Sequence, residues 1–180
     1  MKGAKLLDCT LRDGAYIIDK TFGDSVIKGI IKGLMNAHVD VIEIGFLQNE
    51  GMGEGKTVFF DSKEAEKFIP TDKEDILFTV LADYSRYSIQ NLDMYTGHSF
   101  DAVRACFFKH ERKDAITFCK EIKRKGYKLF IQPVDVLGYS DIEMVEFIQM
   151  INEIEPYCFS ILDRCMRMTC YMCLVLFIII

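Results

Sequence analysis

The feature that most constrains this chain is a repeated rhythm of short apolar runs separated by stretches with helical spacing. After an opening run at Leu7, apolar runs stand at 39–47, 76–84, 102–108, 128–136 and 158–163. Between them, Val26, Ile27, Ile30, Ile31 and Leu34 recur at helical spacing behind Asp24, which is expected to cap that helix. A short helix is predicted over 61–68, a weak one over 88–95, and a charged amphipathic one over 113–125 that Gly126 closes. A last helix opens at Ser140, with Glu143 at capping-box spacing, and runs to 155. Strand and helix in strict alternation imply an α/β fold with a parallel sheet and helical crossovers. A doubly wound sheet shares that rhythm, but no Gly-rich dinucleotide fingerprint follows the first run. Charged residues at several strand ends favour a parallel (β/α) TIM-type barrel, whose sites sit on that rim. A complete barrel takes about 250 residues. The 180 residues here supply about six of its eight units, so the barrel is expected to be incomplete and to span 1–163.

The opening run carries charge into its carboxyl end: Leu7-Asp8-Cys9-Thr10-Leu11-Arg12-Asp13-Gly14-Ala15-Tyr16. If it alternates as a strand, Asp8, Thr10 and Arg12 share one face while Leu7, Cys9 and Leu11 pack against helices. An edge strand with a surface ion pair is the plainer reading of the same pattern. The second run repeats the habit, because Val41, Glu43 and Gly45 alternate with Ile42, Ile44 and Phe46. Glu43 then points where a barrel interior would be. Thr79 and Asp83 share a face of the third run, and Arg104 puts a cation on the fourth. His110, directly after that run, is a candidate site residue, though an exposed loop histidine is the commoner outcome.

Asp8-Cys9-Thr10-Leu11-Arg12-Asp13-Gly14 resembles the first-strand motif of the metal-dependent aldolase and acyl-lyase barrels. That superfamily includes the 4-hydroxy-2-oxovalerate aldolases, hydroxymethylglutaryl-CoA lyase and the isopropylmalate synthases, and the resemblance covers residues 5 to about 163. It implies carbon–carbon bond cleavage or formation beside a 2-oxo group, through an enolate held by a divalent metal and a guanidinium. On this resemblance Arg12 is the enolate-stabilising residue, Asp13 a metal ligand and Glu43 the second-strand carboxylate, with Thr10 and Arg104 contacting the substrate. The implied substrate is a small 2-oxo acid, and the implied metal is Mn²⁺ or Mg²⁺, which take hard oxygen ligands. The family's remaining metal ligands are a His-x-His pair on a later strand, and this chain has none: His38, His98 and His110 are isolated. The metal is therefore expected to be weakly bound or absent. Two further readings stand beside the aldolase one. The chain is a catalytically silent barrel fragment with a binding or assembly role, or it is a nucleotide-binding α/β domain. The second rests on Gly51-Met52-Gly53-Glu54-Gly55-Lys56-Thr57, where Glu50 replaces the first glycine of a phosphate loop and Val58-Phe59-Phe60 opens a helix poorly. A mobile lid suits the 48–56 loop better.

The net charge of −5 gives no basic footprint for nucleic acid. With no apolar leader behind Lys/Arg, a cytoplasmic address is the default. Cys9, Cys106, Cys119 and Cys158, four of seven cysteines, lie in apolar runs as ordinary free thiols. At Arg164 the composition changes. Residues 164–180 lack Asp, Glu, Gly and Pro, hold three Cys and three Met, and end in seven apolar residues, too few to span a bilayer. Cys170 and Cys173 have metal-like spacing but no second pair. A reading-frame change or truncation near Asp163 would explain the break. Such a tail is too short for two more barrel strands and their crossovers, so it is expected to cover a sheet edge or drive self-association.

Overall fold

A computed structural model describes residues 5–51, 53–162 and 175–179. In chain order the elements are β1 (Leu7–Asp8), α1 (Asp24–Asn36), β2 (Val41–Leu47), β3 (Val58–Phe59), α2 (Ser62–Glu66) and β4 (Leu77–Asp83). There follow β5 (Ala102–Phe108), α3 (Arg112–Arg124), β6 (Lys128–Val134), α4 (Asp141–Ile154), β7 (Cys158–Leu162) and β8 (Val175–Ile179). The sheet order is β1-β2-β4-β5-β6-β7-β8, with β3 paired to β2 beside this path. Every pairing is parallel except that of β8 with β7. The six parallel strands on the main path curl into a half-barrel.

The two faces of the sheet bury different things. Ile42, Ile44, Phe78, Val80, Val103, Ala105, Leu129 and Ile131 join α1 residues Ile27 and Ile31, α3 residues Ala115, Cys119 and Ile122, and α4 residue Phe147 in the main core. This is the convex face, covered by amphipathic helices. On the concave face Val41, Leu77, Ala102, Phe130 and Cys158, with Leu7, make a floor that no helix contributes to. Strands buried on both faces read as nearly continuous apolar runs, which is why their positions were legible.

Several local expectations are corrected. β1 is only two residues long, and its parity is the reverse of the expected one: Leu7 pairs with Val41 and packs on the concave floor. Asp24 is the first residue of α1 rather than its cap; Gly23 takes that position, and the Asp24 carboxylate accepts from the Gly55 N–H (2.7 Å) and Lys67 (2.8 Å). The register slips between Glu43 and Phe46, so Phe46 joins the concave side with Ala15, Val58 and Leu81 instead of following Ile44. Gly45 makes the slip possible: its φ is 153°, and a Cβ there would lie 2.1 Å from the Thr57 carbonyl oxygen. The helix expected over 88–95 is a single 3-10 turn, Ile89–Asn91. The Ser140 capping box forms as expected.

β8 runs antiparallel along β7, from Cys158 opposite Ile179 to Leu162 opposite Val175, and so covers that edge of the sheet. The composition break at Asp163 and the Cys170/Cys173 spacing lie outside the described residues. Among the described residues no helix is long and apolar enough to cross a membrane.

Candidate functional site

Two residues beyond each floor position, the concave face turns polar. Val41 is followed by Glu43, Leu77 by Thr79, Ala102 by Arg104, Phe130 by Gln132 and Cys158 by Ser160. All five of these polar side chains are buried. Such a layer is costly unless its members satisfy one another.

Glu43 is its centre. Arg104 Nη2 and Arg12 Nε both donate to the same oxygen, Glu43 Oε2, each at 2.6 Å. Glu43 is 0 % exposed and Arg104 2 %. Arg12 arrives by a route that alternation did not foresee. The chain leaves β1 at Asp8, whose carboxylate accepts from the Thr10 N–H (2.9 Å) and hydroxyl (3.0 Å), and the N–H groups of Arg12 and Asp13 then fold back on the Cys9 carbonyl at 3.0 and 2.7 Å. This turn, and not strand parity, carries Arg12 over to Glu43. Asp13 stands at the mouth, its side chain 64 % exposed, and accepts from Arg12 Nη1 at 2.9 Å.

The structure thus brings Arg12, Asp13, Glu43 and Arg104 together. Thr10 is exposed and donates its hydroxyl to Asp8 instead of to this cluster. The Thr79 hydroxyl donates to the Ala102 carbonyl at 3.2 Å, Asp83 closes a turn with Ser85, and His110 stacks on Phe108 outside the layer. Gln132 and Ser160 were not foreseen as site residues; the signal was their place two residues beyond a floor residue.

Burial works against the Arg12 charge, but the Glu43 carboxylate outweighs it and holds the guanidinium above its ordinary value. Two guanidinium groups therefore share one buried carboxylate oxygen. Glu43 Oε1 and Arg104 Nε are buried with no hydrogen-bond partner among the described residues, as are Gln132 Oε1 and Ser160 Oγ. Burial pushes the Cys106 thiol up to about 12 and raises Cys9 as well, which disfavours the thiolate at both.

The described side chains do not fit a Mn²⁺ or Mg²⁺ centre. Such an ion wants several oxygen ligands, whereas Asp13 brings one carboxylate already engaged by Arg12, and both guanidiniums hold the Glu43 oxygen nearest them. Among the described residues no three His, Cys, Asp or Glu side chains gather to hold a metal. A phosphate cradle after Lys56 is also unsupported, because the segment behind it forms β3 rather than a helix. Compared with protein-family models and with characterised proteins, the chain matches none.

Proposed function

We propose that the polar layer binds a small 2-oxo acid, and that the chain is an incomplete TIM-type (β/α) barrel of the aldolase and acyl-lyase kind. The observation that carries this reading is the convergence of two guanidiniums, Arg12 and Arg104, on one oxygen of Glu43, while the other counter-charge of Arg12, Asp13, stands exposed at the mouth. A small carboxylate would take the place of Asp13 on Arg12, and a second oxygen on the neighbouring carbon would meet the remaining N–H groups of the guanidinium, whose fork suits paired oxygens. Arg12 is the ligand-binding residue in this reading, since it alone of the pair reaches the mouth, with its side chain 14 % exposed. There it would also lower the energy of an enolate oxygen, a contribution of the kind fixed donors make to developing negative charge. Glu43 and Arg104 are positioning residues: the carboxylate fixes Arg12 from below, and Arg104 fixes the carboxylate.

No step is assigned to a metal, given the donor set. With charge stabilisation but no gathered ligands, the chain should bind and polarise the acid while deprotonating it slowly. NMR of pyruvate in deuterium oxide tests both halves in one sample. Saturation transfer from protein to the pyruvate methyl protons is expected, and is expected to vanish in Arg12→Ala. Methyl deuteration with saturating Mn²⁺ is expected to match a metal-only control. Absence of saturation transfer from the folded chain would overturn the binding reading, and deuteration well above control would overturn the slow-deprotonation reading.

A further inference from the structure

Away from the concave layer, a cavity of about 270 Å³ lies between the 53–56 loop, β3 and α2. Its floor is apolar, formed by Val58, Phe59 and Phe68, each at most 3 % exposed. Its walls carry Lys56, Lys63 and Lys67 against the single carboxylate of Glu64. The lining thus holds three lysines and one glutamate. The carboxylates that pair with these lysines stand outside the lining: Asp93 for Lys63 at 3.2 Å, Asp24 for Lys67 at 2.8 Å and Asp19 for Lys56 at 4.0 Å. Glu64 itself is occupied, because its Oε2 accepts from the Phe60 N–H at 2.6 Å.

Lys56 is the least compensated of the three. Its side chain is only 21 % exposed, yet its one carboxylate is at the limit of an ion pair and is itself 92 % exposed. With its nearest carboxylate 4.0 Å away, the Lys56 ammonium keeps donors for an anion in the cavity. The cavity's size is just below the range of ordinary small-ligand pockets, so the occupant must be small. An apolar floor beneath a basic wall calls for a ligand with one apolar end and one strongly anionic end.

We propose that this cavity is a second ligand site, distinct from the Arg12 layer, that takes a small phosphate monoester with its phosphate against Lys56 and its organic group on Phe59 and Phe68. A phosphate monoester carries close to two negative charges at neutral pH and can draw on Lys56 together with the more exposed Lys63. The mode differs from a phosphate loop, since Lys56 leads into β3 rather than into a helix and side-chain ammonium groups supply the charge.

The test is a calorimetric titration of the whole chain with phenyl phosphate and, separately, with inorganic phosphate. Saturable one-to-one binding of phenyl phosphate is expected, at least about tenfold tighter than inorganic phosphate, because only the ester can cover the apolar floor. Lys56→Gln should weaken it at least fivefold, and Lys63→Gln, at a side chain 72 % exposed, should weaken it without disturbing the fold. Lys120→Gln, on the exposed side of α3, should leave it unchanged. Circular dichroism shows that each variant is folded. No saturable binding would overturn the proposal. So would equal affinity for the two probes, which would mean a site for the free anion, or an affinity indifferent to both Lys56→Gln and Lys63→Gln.

Discussion

Replacing Glu43 by Ala removes the carboxylate that, among the described residues, both guanidinium groups contact. Among the described residues Arg104, 2 % exposed, has no other acceptor within hydrogen-bond distance, so its charge would be left in the concave interior without compensation. Breaking a buried ion pair from one side costs about 3–5 kcal/mol, because the surviving charge keeps its desolvation penalty and loses its partner. With a urea dependence of about 2 kcal/mol per molar, a loss of about 4 kcal/mol lowers the unfolding midpoint by about 2 M. Glu43→Gln keeps an oxygen for the two donors and loses only the charge, so it should cost about half as much. Adding Arg104→Met to Glu43→Ala should restore at least about 1 kcal/mol, since the stranded charge is then gone. Equilibrium urea unfolding followed by circular dichroism measures all three. The reasoning is refuted if Glu43→Ala costs under about 1 kcal/mol, or if Arg104→Met adds its own cost to that of Glu43→Ala instead of offsetting it.

Gly45→Ala should destabilise the chain by at least about 2 kcal/mol, because the new Cβ meets the Thr57 carbonyl oxygen and β3 must shift; thermal unfolding against wild type measures the loss. Ser140→Ala breaks the α4 capping box and should cost about 1 kcal/mol in the same assay. The Lys109 ammonium, 2.6 Å away, and then the N–H and hydroxyl of Ser140 hold the Glu143 carboxyl down at about 2. A depressed carboxyl stabilises the fold above its ordinary value and loses that contribution as pH falls through the depressed one. The stability advantage of wild type over Glu143→Gln should therefore be full above about pH 4.5 and fade between there and about pH 2. Urea midpoints at several pH values would expose a flat difference, which contradicts the assignment.

The strand and helix rhythm was legible because the parallel strands are mostly apolar, with a single polar or charged residue each on the concave layer, and the longer helices carry one apolar stripe. β5 was read to the residue, since Ala102–Phe108 is bounded by polar sequence at its start and by Lys109 and His110 at its end. What was not legible depended on backbone hydrogen bonds that composition does not signal. At β1, alternation was extended through Arg12, but the Asp8 side chain bonds the Thr10 N–H and ends the strand after two residues. Arg12 was placed on one face with Asp8 and Thr10 by a parity that the structure reverses; the turn at Cys9 carries it to Glu43 instead. Over 88–95, Asn49 from a distant loop captures the Ser88 N–H at 2.7 Å and the Asn91 amide at 3.0 Å, and the local pattern yields to that tertiary contact. Gln132 and Ser160 escaped notice because a lone polar residue in a buried strand gains meaning only when the strands are laid in register.

The central claim is that the cluster of Arg12, Glu43 and Arg104 is a site for a small 2-oxo acid. Calorimetric titration with pyruvate, set beside propionate and beside the Arg12→Ala chain, tests it most directly. The account predicts saturable one-to-one binding of pyruvate, clearly weaker binding of propionate, which lacks the 2-oxo oxygen, and no measurable binding to folded Arg12→Ala. Pyruvate affinity that is absent in the wild-type chain, or that survives the loss of the Arg12 side chain undiminished, would contradict it.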